Sequence, residues 1–123
     1  MISEYENVLT SIKPTLEEVG FFLTENSDFW AEFKTSDGWK IVFEGERYYR
    51  PLFDIRITLP EEKIDYSVGI LMKCFWELNG GDSNPPNAVN QANFIKDNLR
   101  GWISKKENYE ICYRKKNEIV GGD

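Results

Sequence analysis

Paired arginines and paired tyrosines stand together in one short segment of the chain, residues 44–51, whose sequence is EGERYYRP. Arginine and tyrosine are enriched at the energetic hot spots of protein interfaces, because they combine large contact area with directional hydrogen bonds. The segment joins two predicted strands, so we expect its side chains to be exposed. With the acidic sheet residues beside it, it predicts a surface for a protein partner, formed by Glu44, Glu46, Arg47, Tyr48, Tyr49, Arg50 and Asp54.

A purely structural interpretation of this loop stays open beside the functional one. In that interpretation one tyrosine packs over the edge of the sheet, and the two arginines pair with Glu44, Glu46 or Asp54. Neighbouring bases on the same strands would also neutralise part of any acidic surface.

No histidine occurs among the 123 residues. This absence excludes serine–histidine and cysteine–histidine nucleophile pairs, histidine-ligated zinc and the commonest general base near neutral pH. No motif fixes two of the 21 acidic residues at a catalytic spacing. The Gly80-Gly81-Asp82 stretch follows a predicted helix and lacks the Gly-Lys-Ser/Thr of a phosphate-binding loop. We therefore predict a non-enzymatic binding protein with no catalytic residue, no metal and no cofactor.

The balance of charge indicates the sign of the partner. Twenty-one acids against 15 lysines and arginines give a net charge of −6, and 14 of those acids lie within residues 1–70 beside only 7 of the bases. Such a field repels nucleic acid and disfavours an anionic membrane. We expect neither as a partner. A basic protein domain is the better match.

The first residues of the sequence and the two cysteines predict the cellular compartment. The first residues, MISEYE, carry acids where a secretory signal needs bases, and no stretch approaches the roughly 20 apolar residues of a spanning helix. We therefore expect a cytoplasmic protein. Cys74 and Cys112 each stand inside an apolar helical pattern, which in a reducing cytosol predicts two buried thiols instead of a disulfide.

The hydrophobic periodicity predicts an α+β fold in a single domain, residues 1–123. Helical spacing covers residues 1–19, with Pro14 expected to kink or split the helix. Period-two alternation then predicts an antiparallel sheet over residues 20–59, and helical spacing returns over 61–116, beginning with a central helix at 61–79. A polar tail over 117–123 is expected to fray. The four predicted strands are Phe21–Glu25, Phe29–Thr35, Trp39–Glu44 and Leu52–Leu59.

The turn between the second and third strands predicts their register. A three-residue loop, Ser36 to Gly38 with Gly38 left-handed, sets Phe33 opposite Ile41, so both apolar series face one way. The last strand repeats this alternation, with apolar residues at 53, 55, 57 and 59 and polar ones at 54, 56 and 58. We therefore predict a four-stranded antiparallel meander, packed on one face by the N-terminal and C-terminal helices and open on the other.

In its order of motifs the chain resembles small bacterial immunity proteins of contact-dependent inhibition and other polymorphic toxin systems. The resemblance rests on an N-terminal helix, a Gly20-Phe21-Phe22 start of the strand region, the Trp39, Ile41 and Phe43 strand, the Glu46-Arg47-Tyr48 turn and closing helices. It implies a small, cytoplasmic, non-enzymatic protein that neutralises a cognate toxin domain, often a basic nuclease. It identifies no subfamily and transfers no contact residue.

Two other functions stay open at this point. One is an acidic inhibitor of a host nuclease, encoded by a phage or mobile element, which would bind in a similar way. The other is a small enzyme that uses a carboxylate or a tyrosine. A neighbouring toxin gene would favour the immunity protein, a phage neighbourhood the second function, and a deep polar pocket the third.

Overall fold

A five-stranded antiparallel sheet lies at the centre of the computed structural model, with its strands side by side in chain order. The structure describes residues 1–50, 52–81 and 84–121, with the backbone alone for 119–121. Helix α1 precedes the sheet and three helices follow it. The elements are α1 (Ser3–Glu18), β1 (Phe22–Asn26), β2 (Trp30–Lys34), β3 (Lys40–Gly45), β4 (Phe53–Thr58), β5 (Asp65–Ser67), α2 (Val68–Asn79), α3 (Ala88–Asn98) and α4 (Glu110–Gly121).

The predicted register of the β2–β3 hairpin is confirmed. Phe33 pairs with Ile41, and Ala31 pairs with Phe43. Gly38 takes a positive φ of 100°, which is the left-handed conformation that closes such a loop without a steric penalty. The register places these four apolar side chains on one face of the hairpin, where the helices cover them.

Helices cover one face of the sheet, and that face carries the core. Side chains pointing to it are fully buried, and α1, α2 and α3 supply the opposing apolar residues. This covered face consists of Ala31, Phe33, Ile41, Phe43, Ile55 and Ile57, all with at most 1% exposure. The prediction of an α+β domain with an antiparallel meander is therefore confirmed in outline.

The prediction of four strands is wrong by one, because Asp65–Ser67 forms a fifth strand beside β4. The predicted helix at 61–79 accordingly begins only at Val68. Ile64 belongs to the predicted apolar stripe of that helix but is 64% exposed. The helical period failed here because a three-residue strand is too short to show alternation, and its pairing with β4 is a tertiary contact.

Three smaller expectations also differ from the structure. Helix α1 runs unbroken from Ser3 to Glu18 with Pro14 inside it. Helix α4 continues to Gly121, through most of the predicted polar tail, while residues 122–123 lie outside the described chain. Cys74 is buried as predicted, but Cys112 is only partly buried, and both thiols are free. Between α3 and α4 the chain forms a π-helical turn and a 3-10 turn, Leu99–Ile103 and Lys106–Asn108.

Candidate partner-binding surface

The β3–β4 loop is held in shape by Tyr5, a residue of α1 that is distant in sequence. Its hydroxyl lies 2.7 Å from the carbonyl oxygen of Glu46 and 2.8 Å from that of Leu52, so its single proton is shared by the two ends of the loop. The ring is fully buried against Phe29 and Phe43. Burial raises the pKa of this hydroxyl, which therefore remains a donor at neutral pH.

Gly45 leaves the space that the Tyr5 ring occupies. A Cβ at position 45 would stand 2.5 Å from the ring, closer than side-chain atoms approach one another. The Gly45 amide also donates to the carbonyl of Phe29 across 2.7 Å. The start of the loop is therefore fixed from both sides, by a ring beneath it and by the neighbouring turn.

The two arginines of the loop are partly used by the fold. The guanidinium of Arg47 lies 4.9 Å from the centre of the Phe29 ring, and that of Arg50 lies 5.8 Å from it. Arg50 also forms an ion pair with Glu4 at 3.2 Å. Neither arginine pairs with Glu44, Glu46 or Asp54, so the structural interpretation is right in kind but names the wrong partners.

The two tyrosines of the loop point into solvent. Tyr48 is 86% exposed and Tyr49 is 70% exposed, and Leu52 beside them is exposed as well. Neither tyrosine packs over the sheet edge. Pro51, the last residue of the predicted segment, lies outside the described residues. The anchored loop therefore presents two large amphipathic side chains that make no contribution to the core.

A groove of about 420 Å³ lies beside this loop, between it and the β1–β2 turn. The half-buried Trp30 lines it, together with the acids Asp28, Glu44 and Glu46 and the single base Arg47, and Tyr48 adds a second aromatic ring. Within the described residues, no ion pair or hydrogen bond engages the side chains of Asp28, Glu44 and Glu46. We term this the acidic groove, because three acids and one base line it beside Trp30. An aromatic ring beside excess negative charge is suited to a lysine or arginine side chain.

Asp54 adjoins this groove, but its carboxylate, unlike those of Glu44 and Glu46, is engaged by other side chains of the fold. It lies directly across the strands from Glu44. Its two oxygens accept from Arg56 at 3.0 Å and from the Ser67 hydroxyl at 3.3 Å. Burial alone would lower the pKa of Arg56, but the hydrogen bond to Asp54 and the charge of Asp65 raise it above its usual value. Asp54 therefore stabilises the β4–β5 pair and adds negative potential next to Glu44.

A second groove, of about 430 Å³, lies on the other side of Asp54, where α2 begins. Lys73 and the buried amide of Gln91 line it. The Gln91 Nε2 donates to the Pro86 carbonyl at 2.7 Å, whereas its Oε1 has no hydrogen-bond partner among the described residues. This groove carries cations and amides beside one carboxylate and differs in chemistry from the acidic groove.

Sequence reasoning identified the loop residues of this surface but missed the residues that support the loop or line the groove. Tyr5, Asp28, Phe29 and Trp30 all belong to α1 or to the β1–β2 turn and its flank. The one signal available was the run Ser27-Asp28 between two aromatic strands, which marks a turn at the same end of the sheet as the β3–β4 loop.

No family model, curated protein or solved structure matches this chain. Within the described residues, no group of three or more cysteine, aspartate or glutamate side chains is placed to hold a metal ion. No described helix is both long and apolar enough to cross a lipid bilayer.

Proposed function

We propose that this protein is an immunity protein, which binds a cognate toxin domain in a stoichiometric, non-catalytic complex in the cytoplasm and so neutralises it. The toxin domain is basic, and a nuclease fits best. The observation that supports the proposal is the acidic groove, where three carboxylates that the described fold leaves unpaired line the same cavity as Trp30, next to two exposed tyrosines on the β3–β4 loop.

The chemistry of nucleases supports the sign of this partner. A nuclease must hold a phosphate backbone, so its substrate surface carries lysines and arginines. An acidic protein that engages those cations competes directly with the nucleic acid. The groove residues Asp28, Glu44 and Glu46 would pair with the cations, and Trp30 would contact their apolar stems.

The exposed tyrosines supply the affinity in this proposal, because charge pairs at a rim contribute mainly to the association rate. Exchanging both Tyr48 and Tyr49 for alanine should weaken the complex by at least ~2 kcal/mol, or about thirtyfold. Arg47 is left in place because it packs on Phe29. The measurement is calorimetry with the purified toxin domain encoded beside this gene, paired with protection of cells that express it.

A matched control removes two exposed apolar side chains from the helical side, Leu78 at the end of α2 and Ile111 in α4. Their exchange for alanine should leave affinity unchanged. If the loop variant keeps its affinity and the helix variant loses it, the contact surface is the end of α2 instead. If no neighbouring toxin binds either form, an acidic inhibitor of a host nuclease becomes the better function.

The acidic groove should act through long-range attraction. We expect the association rate to fall steeply between about 0.05 and 0.5 M salt, over which the Debye length shrinks from roughly 14 to 4 Å. Neutralising the groove with Asp28→Asn, Glu44→Gln and Glu46→Gln should flatten this dependence. A control of equal net charge neutralises acids elsewhere, Glu17→Gln, Asp97→Asn and Glu107→Gln. Equal salt dependence in the two triple variants would contradict a role for the groove.

A further inference from the structure

The two cysteines of the chain lie on two helices that pack side by side, α2 and α4. Contacts between these helices occur on both sides of Cys74 along α2. At the start of the helix the Ser67 amide donates to the Tyr113 hydroxyl at 3.0 Å. Near its end the Glu77 carboxylate accepts from the Cys112 Sγ at 3.8 Å. Cys74 therefore belongs to the part of α2 that packs on α4.

The same contacts bring the two thiols together. Residues three apart are neighbours on the surface of a helix, so Cys74 and Glu77 lie on the same side of α2. Cys112 contacts that side from α4 through Glu77. Burial raises the pKa of the Cys74 thiol, and the adjacent Cys112 thiol raises it further. The two sulfurs are therefore neighbours across the interface between the helices.

The two thiols differ in their access to solvent. Cys74 has no exposed surface, whereas Cys112 is only partly buried. Cys112 also lines an open groove of about 390 Å³, formed by the end of α2, the start of α4 and the turn before α4. A small reagent in this groove reaches Cys112 but not the enclosed Cys74.

The carboxylate beside Cys112 is neutralised by an ammonium group. The thiolate is the reactive form of a cysteine, and an unpaired negative charge beside it would repel it. The Glu77 carboxylate is not unpaired, because the Lys116 Nζ lies 2.5 Å from one of its oxygens. Lys116 follows Cys112 by one turn of α4, and its side chain is only 21% exposed. Its positive charge therefore stays close to Cys112.

We propose that Cys74 and Cys112 form an oxidation site, at which hydrogen peroxide joins the two thiols in a disulfide between α2 and α4. The Cys112 thiolate attacks one peroxide oxygen, so the O–O bond breaks, Cys112 becomes a sulfenic acid and the other oxygen leaves as water. Cys74 then loses its proton and attacks the Cys112 sulfur, so the S–S bond forms, the S–O bond breaks and a second water leaves. The two thiols lose two electrons, which reduce the peroxide to two waters.

The proposal does not depend on the proposed toxin, because it needs only the chain and the oxidant. Its test is the treatment of the full chain with hydrogen peroxide, followed by thiol alkylation, intact mass and peptide mapping. The chain should lose about 2 Da while it stays a monomer, with Cys74 joined to Cys112, and dithiothreitol should restore both thiols. Because a disulfide constrains the unfolded chain, the oxidised form should unfold at a higher temperature than the reduced form.

Two single variants separate the steps. In Cys74→Ser, Cys112 should stop at the sulfenic acid, which dimedone labels. In Cys112→Ser, Cys74 should stay reduced, because it is enclosed. The matched control combines Cys112→Ser with Arg114→Cys, which keeps two cysteines but moves one to a position whose side chain is 74% exposed. Its disulfide should form at least about tenfold more slowly than that of the unaltered chain, since the sulfurs no longer face one another.

The unaltered chain and this control decide the proposal even if a cysteine variant fails to fold. If both thiols of the unaltered chain can still be alkylated after peroxide treatment, or if disulfides form only between chains, the proposal is wrong. Equal rates for the unaltered chain and the control would also overturn it, because chain flexibility and not the packing of α2 on α4 would then bring the sulfurs together.

Discussion

The two faces of the sheet are formed by the same strands but differ in the polarity and burial of their side chains. On the covered face, Ile55 and Ile57 of β4 pack into a core in which no charged side chain is buried among the described residues. On the uncovered face, which we term the open face, Asp54 and Arg56 of the same strand are charged and half-exposed. The covered face contributes to the core, whereas the side chains of the open face stay partly in solvent, where Arg56 pairs with Asp54 and Asp65. Alternation alone thus separates a buried apolar surface from a charged, partly exposed one within a single short strand.

The largest expected effect tests this separation directly. Ile55→Asp places an unpaired charge in the core and should reduce the free energy of unfolding by about 4 kcal/mol. Val42→Asp makes a comparable apolar-to-acid change on the neighbouring strand but on the open face, and should cost about 1 kcal/mol. Chemical denaturation of both variants gives the two numbers. Similar losses would mean that the sheet is covered on both sides.

An intermediate effect is expected at Gly45, the last residue of β3, where the covered face meets the β3–β4 loop. Gly45→Ala drives a methyl group into the Tyr5 ring, so we expect a loss of about 1–3 kcal/mol and a displaced loop. Gly101→Ala is the control, because no described atom lies within 4 Å of a Cβ placed there. Thermal unfolding compares the two. A neutral Gly45→Ala variant would show that Tyr5 does not hold the loop.

The smallest effect concerns the Tyr5 hydroxyl alone. Tyr5→Phe keeps the ring but removes the hydroxyl donor from the Glu46 carbonyl, whereas the Leu52 carbonyl still accepts from the Glu46 amide, so we expect a cost of about 1 kcal/mol near neutral pH. Since burial raises the pKa of Tyr5, its protonated form stabilises the fold below about pH 10, the unfolded value, and this contribution is lost as the pH rises further.

The difference in stability between the unaltered chain and Tyr5→Phe should therefore shrink above about pH 10. Tyr66 and Tyr109 also have pKa values raised by burial, so the unaltered chain and the variant both lose stability in alkali. Urea titrations at about pH 7 and about pH 11 make the comparison. A gap that stays constant between the two conditions would contradict the role given to the hydroxyl.

The sequence was informative wherever local patterns decide the structure. The loop that ends at Gly38 and the pairing of Phe33 with Ile41 followed from requiring one apolar face. The fifth strand could not be predicted in this way, because Ile64 and Val68 stand at helical spacing and the pairing with β4 is visible only in three dimensions. Tertiary contacts thus overrode the local period there.

The candidate partner-binding surface was likewise predictable only in the part that local sequence patterns decide. Exposure of Tyr48 and Tyr49 was predictable from a loop between strands. The groove was not, because Trp30 and Asp28 enter it through the β1–β2 turn and no spacing in the sequence relates them to Glu46. Free carboxylates are likewise a property of the folded molecule, since only the positions of all bases show which acids lack a partner.

Tyr5 fixes the backbone at the two ends of the β3–β4 loop, whereas the side chains at the tip of the loop are exposed. Its ends are fastened through backbone carbonyls, which every residue possesses, and Gly45 makes room for the ring beneath. The residues at the tip, Tyr48 and Tyr49, contribute nothing to that fastening. Substitution at the tip therefore leaves the hydrogen bonds of Tyr5 intact, and these bonds hold the two ends of the loop without a partner. The same loop backbone can therefore present different side chains at its tip, so the specificity for a partner can change while the fold stays constant.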